Sequence, residues 1–171
     1  DRRQRQMCIR DRDKEGAGMG WGAVYAQYLE SMDQIGEQGN GLSVSRQLYK
    51  GDEALNESVP LKVGDKITVR LTVKADRDMD FVQIKDDRAA CMEPLQAVSG
   101  FRWGNGLGYY QATKDASTQF FIDQMRKGTY VIEYQVYVNR TGEYQAGIAT
   151  VQSAYAPEFG GHTGGYRVMV E

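Results

Sequence analysis

KITVRLTVK, residues 66–74, is the clearest strand pattern in this sequence. Its polar and charged side chains alternate with four aliphatic ones: Ile67, Val69, Leu71 and Val73. An alternation of period two is typical of a β-strand that buries one face. Burying these four side chains would contribute roughly 6–12 kcal/mol before the loss of chain entropy. The stretch therefore predicts a half-buried strand, and the turn residues Val63–Asp65 come directly before it.

Similar period-two patterns recur along the rest of the chain. They predict strands at residues 21–28, 42–49, 81–84, 108–111, 118–125, 129–139, 142–152 and 166–170. Residues 89–105 are expected to be irregular. No segment has a sustained apolar stripe of period 3.6, so we expect little helix. Many short strands with regular turn signals predict an all-β fold, namely an antiparallel β-sandwich with an N-terminal lead-in strand.

Composition and charge exclude several classes of function. The 171 residues include 20 Gly, 11 Tyr and only 3 Pro, which favours strands joined by tight turns. The formal net charge of -2 gives no electrostatic reason to expect nucleic-acid binding. No apolar run is long enough to cross a bilayer. We therefore expect no nucleic-acid partner and no transmembrane segment in this chain.

The first twelve residues, DRRQRQMCIRDR, do not fit the rest of the sequence. They contain five Arg and lack both hydrophobic periodicity and helix-capping signals. The string MCIRDR is similar to translated sequencing-adapter DNA, so we interpret residues 1–12 as a scar and exclude them from fold reasoning. We expect the natural chain to extend upstream. Without the scar the chain is more acidic, which disfavours nucleic-acid binding further.

Catalytic signals are absent from the sequence pattern. The only histidine, His162, lies in a Gly-rich stretch with no Ser or Cys nucleophile in a recognisable setting. No His/Cys spacing fits zinc, and no acidic loop fits calcium. Asp86 and Asp87 are neighbours on a strand and therefore point to opposite faces, which disfavours a shared metal. We expect a protein without catalytic, cofactor-binding or metal-binding residues, and not an enzyme.

Aromatic residues between positions 101 and 110 leave two interpretations open: Phe101, Trp103, Tyr109 and Tyr110. One is that they plug an end of the sandwich and pack between the sheets, which we favour. The other is that they form a sugar-stacking platform. In that case the chain would be a free-standing carbohydrate-binding or adhesion β-sandwich on a cell surface.

The order of several segments resembles the last domain of bacterial alpha-2-macroglobulin-like proteins. The segments are Gly18–Gly22, Gly41–Arg46, Gly64–Arg70, Asp86–Arg88, Met92–Pro94, Lys127–Tyr134, Gly142–Gly147 and Ala154–Glu158. Together they cover nearly all of the chain after residue 12. The string Cys91–Pro94 is also similar to the Cys-x-Glu-Gln thioester motif of that family. However, Pro94 stands where a glutamine must condense with the thiol, so no thioester can form there.

The resemblance implies a division of the chain and a role for it. Residues 13–60 would be linker strands leading out of a preceding domain, and residues 61–171 a C-terminal macroglobulin-like β-sandwich. The parent protein would be a broad-spectrum protease trap, periplasmic or associated with the outer envelope, and a lipoprotein. The partners of this chain would be the other domains of its parent and, through the parent, the target proteases.

The resemblance also implies a contact site. In this family the last domain packs near the thioester and shields it from water until activation. Shielding requires apolar or aromatic side chains presented from a loop, because an activated acyl group hydrolyses when water reaches it. We therefore expect interdomain contacts from the loop of residues 155–166, through Tyr155, Phe159, His162 and Tyr166.

Overall fold

The computed structural model describes residues 16–19, 29, 31, 35–55 and 60–171. The scar at residues 1–12 and the lead-in strand at residues 21–28 lie outside the described residues. The strands are β1 (Gln38–Asn40), β2 (Leu42–Lys50), β3 (Glu53–Ala54), β4 (Lys66–Ala75), β5 (Met79–Asp87), β6 (Met92–Pro94), β7 (Gly100–Gly104), β8 (Leu107–Thr113), β9 (Ser117–Met125), β10 (Gly128–Val138), β11 (Gly142–Ala146), β12 (Ala149–Ser153), β13 (Gly160–His162) and β14 (Tyr166–Val170).

The strands form antiparallel sheets that pack as a sandwich, which confirms the predicted fold class. Twelve strands are hydrogen-bonded into one sheet, in the order β6-β10-β4-β2-β1-β13-β12-β5-β9-β8-β7, with β3 attached to β2. Strands β11 and β14 form a separate pair. The described part of the chain contains no helix, and thus none with the length and apolarity that a membrane span requires.

The core lies between the two halves of the folded sheet. Strand β4 alternates as predicted: its aliphatic positions are buried, with Ile67, Leu71 and Val73 at 0% exposure. Strand β4 pairs with β10 along its whole length, and the inward side chains of β10 are also buried. The largest fully buried side chain, Phe120 on β9, packs against the rings of Tyr109 and Tyr134 at centroid distances of 5.7 and 5.8 Å.

Strand β2 is an integral part of this core, although it lies in the segment 13–60 that we expected to link two domains. It pairs with β4 from Leu42, opposite Ala75, to Tyr49, opposite Thr68. Leu42 and Val44 on its inward face are buried. The boundary expected at residue 61 thus falls between two paired strands of one sheet. Where the domain begins along the chain stays a prediction.

Glycines allow the sheet to turn its corner at β1 and β13, where backbones cross closely. A Cβ on Gly161 would lie 2.7 Å from the carbonyl oxygens of both Gln38 and Leu42. A Cβ on Gly39 would lie 2.7 Å from the same Leu42 oxygen. Real side chains do not tolerate such distances to backbone atoms, so only glycine fits at these two positions.

Two local expectations were wrong. Residues 89–105, expected to be irregular, contain β6 and β7. The strand expected at residues 142–152 is two strands, β11 and β12, which belong to different sheets. The break falls at Gly147, where a Cβ would lie 2.5 Å from the Cβ of Asp87. This close approach to β5 lets the chain leave one sheet and enter the other.

Replacing Ile67 by Asp should unfold the domain. The new carboxylate would be buried without a partner, which costs several kcal/mol, whereas a domain of this kind is stable by only roughly 5–15 kcal/mol. We expect the cooperative thermal transition seen by far-UV circular dichroism to disappear. Lys74→Asp, at an exposed position of the same strand, is the control and should melt like the wild type. A wild-type melting temperature for Ile67→Asp would show that this face does not point inward.

Candidate functional site

Tyr155 lies on the loop between β12 and β13 and is the most exposed of the four residues expected at the contact site. Its side chain is 79% exposed. Its ring meets the ring of Phe81 edge to face, with centroids 5.0 Å apart and an interplanar angle of 84°. Beside it, the N–H of Ala154 donates to the Phe81 carbonyl at 2.9 Å, and the N–H of Ser153 to the Phe159 carbonyl at 3.0 Å. The loop therefore presents Tyr155 to solvent from a hydrogen-bonded base.

Phe159, on the same loop, anchors it to the core. Its ring is partly buried and lies so close to Gly41 that a Cβ there would be 2.6 Å from its Cδ1 atom. The Arg77 guanidinium lies over the ring at 4.6 Å from its centroid. The side-chain Nδ2 of Asn40 donates to the Glu158 carbonyl at 2.7 Å. Tyr155 and Phe159 thus belong to one surface, next to a cleft of about 290 Å³.

His162 lies elsewhere, in β13. Its cross-strand neighbours are Gln38 on β1 and Thr150 on β12. Its Nδ1 atom is 3.1 Å from the carbonyl oxygen of the adjacent Thr163. The ring lines a groove of about 600 Å³ whose other side chains are mostly polar or glycine. The structure does not bring His162 together with Tyr155.

Tyr166, the first residue of β14, packs against the core instead of lining the loop surface. Its ring lies under the guanidinium of Arg46, 4.4 Å from centroid to Cζ. Its hydroxyl lies 3.8 Å from the Met92 sulfur. Of the four expected contact residues, the structure therefore brings Tyr155 and Phe159 together and separates His162 and Tyr166 from them.

Sequence reasoning missed the buried ion pair that Tyr166 covers. Arg46 on β2 and Asp86 on β5 form a hydrogen-bonded salt bridge, with side chains 4% and 2% exposed. The hydroxyl of Tyr134 on β10 donates to the second carboxylate oxygen at 2.7 Å. Arg46 also donates to the Gly147 carbonyl at 2.6 Å. The network joins β2, β5 and β10 to the connection that precedes β12.

The network shifts the pKa of its members. Burial lowers the pKa of Arg46, but the charge of Asp86 and the hydrogen bond to it outweigh burial and raise it. Burial, reinforced by the Asp86 charge, raises the pKa of Tyr134 well above its ordinary value. Burial also raises the pKa of Tyr166, despite the opposing charge of Arg46. Both tyrosines therefore stay neutral in the folded protein at pH values where an exposed tyrosine ionises.

A second buried arginine, Arg88, follows β5. Its Nη1 atom donates to the Thr118 hydroxyl at 2.6 Å, and its Nη2 atom donates to the carbonyls of Lys114 and Asp115 at 2.5 and 2.8 Å. Its Nε atom has no hydrogen-bond partner among the described residues. These contacts fasten the end of β5 to the turn between β8 and β9, which is a structural role.

The aromatic residues between positions 101 and 110 divide between the core and the surface. Tyr109 packs against the core, as the packing interpretation expects. Phe101 and Trp103 on β7 are 76% and 79% exposed, as the platform interpretation expects. Tyr110 meets Phe101 edge to face with centroids 5.3 Å apart. The structure therefore supports each interpretation for part of the set.

The described residues offer little for catalysis. They contain no group of three or more His, Cys, Asp or Glu side chains that could hold a metal. Cys91 is buried and free, and burial raises the pKa of its thiol, which keeps it protonated.

Comparison with known protein families decides where this chain belongs. The family described as Bacterial Alpha-2-macroglobulin MG10 domain matches residues 41–158, well over half of the chain. The chain belongs to this bacterial alpha-2-macroglobulin family. Macroglobulin-like domains are structural and non-catalytic and act as parts of longer chains. Membership also indicates an extracellular or envelope protein.

Solved structures of bacterial alpha-2-macroglobulins have the same fold. A Salmonella alpha-2-macroglobulin mutant is 19% identical, with a TM-score of 0.66 over 80% of this chain and 10% of that one. An Escherichia coli alpha-2-macroglobulin activated by porcine elastase is 16% identical, with a TM-score of 0.68 over 80% of this chain and 14% of that one. A native E. coli fragment from domain MG7 to the C-terminus is 17% identical, with a TM-score of 0.66 over 79% of this chain and 24% of that one.

Among curated proteins, Circularly permutated Ras protein 2 from Dictyostelium discoideum is 26% identical over 164 residues. The match covers 92% of this chain and 4% of that protein. The chain therefore spans a small part of that protein's length, as it does of the solved structures.

The buried tyrosines predict a loss of stability at alkaline pH. An unfolded tyrosine loses its proton near pH 10, whereas the folded state holds the pKa of Tyr134 and Tyr166 higher. Their stabilisation is complete below about pH 10 and is lost as the pH rises through the folded pKa. Urea unfolding at pH 8 and pH 11 should therefore give a lower free energy of unfolding at pH 11.

Tyr134→Phe isolates one part of this effect. Removing the hydroxyl that donates to Asp86 should lower the free energy of unfolding at pH 8 by about 1.5–3 kcal/mol. The further fall between pH 8 and pH 11 should be smaller than in the wild type, because one of the shifted groups is gone. Tyr137→Phe, on the same strand but 39% exposed, is the control. Its free energy of unfolding should decrease between pH 8 and pH 11 as much as that of the wild type. A wild-type pH dependence in Tyr134→Phe would show that Tyr134 does not contribute to the loss of stability at alkaline pH.

Proposed function

We propose that this chain is a C-terminal part of a bacterial alpha-2-macroglobulin-like, broad-spectrum protease inhibitor. In this proposal it is a non-catalytic interaction domain that packs near the thioester region of its parent and shields it from water. The partners are the other domains of the parent chain and, through them, the trapped proteases. The parent is a lipoprotein of the periplasm or outer envelope.

Two kinds of finding support the proposal. The family match assigns the chain to the bacterial alpha-2-macroglobulins, and the chain covers only 10% and 24% of two solved relatives. Relatives of known structure include a Salmonella alpha-2-macroglobulin reacted with methylamine and E. coli alpha-2-macroglobulins activated by trypsin and by porcine elastase. We extend to the parent of this chain both the response to proteases and the reaction with a small amine.

The exposure of Tyr155 is the observation that carries the shielding role. A tyrosine ring that is 79% exposed gains little from burial in this domain alone. Its loop is nevertheless held by hydrogen bonds on both sides and by the inward ring of Phe159. A rigid loop that offers a large apolar side chain is suited to covering a reactive group on a neighbouring domain and excluding water from it.

The test is the lifetime of the thioester in the full-length parent. Tyr155→Ala, alone and with Phe159→Ala, should speed the spontaneous loss of the thioester several-fold before any protease is added. Free-thiol release and incorporation of a labelled amine measure that loss. Trp103→Ala removes an aromatic side chain of the same 79% exposure from another surface and should leave the rate unchanged. A wild-type rate in both Tyr155 variants would exclude the shielding role.

One observation favours carbohydrate binding as a second candidate function. Trp103 lies opposite Gly108 in the β7–β8 pair, and a Cβ on that glycine would be 2.8 Å from the Cε3 and Cζ3 atoms of the indole. The indole thus packs against the backbone of Gly108 while most of its surface stays exposed. Asp123, Gln124 and Arg126 line the cleft of about 750 Å³ beside it and could hydrogen-bond hydroxyl groups. Aromatic rings next to such groups suit a neutral sugar.

Glycan-array binding by the 171-residue chain tests this second function. Binding to neutral glycans that Trp103→Ala abolishes and Tyr155→Ala leaves intact would support it. Absence of binding to any neutral glycan would exclude a carbohydrate-binding role for this surface.

A further inference from the structure

Phe81 holds a backbone conformation that a phenylalanine rarely adopts. Its φ is +53°, in the left-handed region. Among the described residues, the other non-glycine with a positive φ is Asn105, which lies in the β7–β8 turn next to Gly106. Asparagine is common at such turn positions, whereas a bulky residue inside a strand is an outlier. The conformation at Phe81 therefore requires a reason.

Part of the reason is the alternation along β5. From Val82 to Asp86 every second side chain is buried, but at the start of the strand Met79 is buried and Asp80 is exposed. Met79 and Asp86 are seven residues apart, so regular alternation cannot point both inward. The alternation shifts by one position between Met79 and Val82, and the left-handed residue lies at that shift. Glycine at position 81 would adopt the same positive φ without a steric penalty. The shift in alternation therefore does not explain why the residue is a phenylalanine.

The ring of Phe81 is directed at Tyr155. It is 48% exposed and makes the edge-to-face contact with Tyr155 described above. The Phe81 carbonyl accepts the hydrogen bond from Ala154, the residue just before that tyrosine. Since the Phe81 ring is about half exposed and the Tyr155 ring largely exposed, the contact adds little to the core. The contact instead lies at the surface, where the edge of one ring faces the other.

We propose that Phe81 is the positioning residue that holds Tyr155 in the orientation in which it covers a neighbouring domain. This inference rests on the proposed shielding function. An exposed tyrosine on its own samples several side-chain rotamers and would lose that freedom on docking. The Phe81 ring beside Tyr155 would restrict those rotamers before docking, so that less rotamer entropy is lost when the domains meet. The ring that orders Tyr155 thus accounts for a phenylalanine at a position whose backbone conformation disfavours it.

Phe81→Gly separates this role from a structural one. Glycine accepts a φ of +53° without strain, so the 171-residue chain carrying Phe81→Gly should melt at the wild-type temperature or above it. In the full-length parent the same variant should lose its thioester several-fold faster than the wild type, close to the rate of Tyr155→Ala. Phe81→Tyr keeps the ring and should behave like the wild type. A purely structural residue would instead change the melting temperature and the thioester lifetime in the same direction.

The outcomes distinguish this inference from the function on which it rests. If the thioester is lost quickly in Tyr155→Ala but at the wild-type rate in Phe81→Gly, the role of Phe81 is overturned and the shielding function stays in place. Wild-type rates of thioester loss in Phe81→Gly and in both Tyr155 variants would overturn the role of Phe81 and the shielding function together. The double variant Phe81→Gly with Tyr155→Ala should lose the thioester no faster than Tyr155→Ala alone. An additive effect would mean that Phe81 acts independently of Tyr155, which contradicts the inference.

A spectroscopic measurement tests the contact without a thioester. Fluorotyrosine at position 155 of the 171-residue chain should give a ¹⁹F resonance displaced by the ring current of Phe81. Phe81→Gly should move that resonance toward the position of a free fluorotyrosine. An identical resonance in the wild type and Phe81→Gly would show that the two rings are not in contact, and the inference would fail.

Discussion

The ion pair between Arg46 and Asp86 is the constraint on which the arrangement of the two halves of the sheet depends. It joins β2 in one half to β5 in the other, inside a core whose buried side chains are mostly apolar. Removing two charges from water is costly, and the cost is offset only where the remaining hydrogen-bonding groups are satisfied. Tyr134 and the Gly147 carbonyl supply such partners, and the Tyr166 ring covers the guanidinium. Apolar side chains could slide past one another, whereas this network permits one register between the strands.

The ion pair also affects the surface, because it fixes the direction of side chains along β5. Asp86 must point inward to meet Arg46, and Met79 at the other end of the strand also fills the core. The alternation has to shift between them, and it does so at Phe81. The exposed contact of Phe81 with Tyr155 and the buried ion pair of Asp86 with Arg46 therefore lie near opposite ends of β5. A rigid interior gives the loop of Tyr155 a fixed base, as is usual for loops that make contacts.

This chain shares its fold with solved bacterial alpha-2-macroglobulins to which it is only 15–19% identical. A sandwich needs only apolar side chains at alternate positions and glycines at its corners, so many sequences satisfy it. Residues at the rim and on the outer faces are free of that requirement. Tyr155 and Trp103 are two such residues, since both are 79% exposed and contribute little to the core.

The sequence by itself determined the strands with regular alternation, the all-β class and the family resemblance. Strand β4 could be located from residues 66–74 because side chains two apart on a strand always share a face, which is a local property of the backbone. Within the expected contact site, the sequence indicated the loop that carries Tyr155 and Phe159. It could not show that His162 lies in a strand or that Tyr166 covers a buried arginine. Nor could it pair Arg46 with Asp86, forty residues away, or detect that Phe81 breaks the alternation beside Tyr155. Those relations depend on which strands meet across the sandwich, and that is decided by how the whole sheet folds on itself.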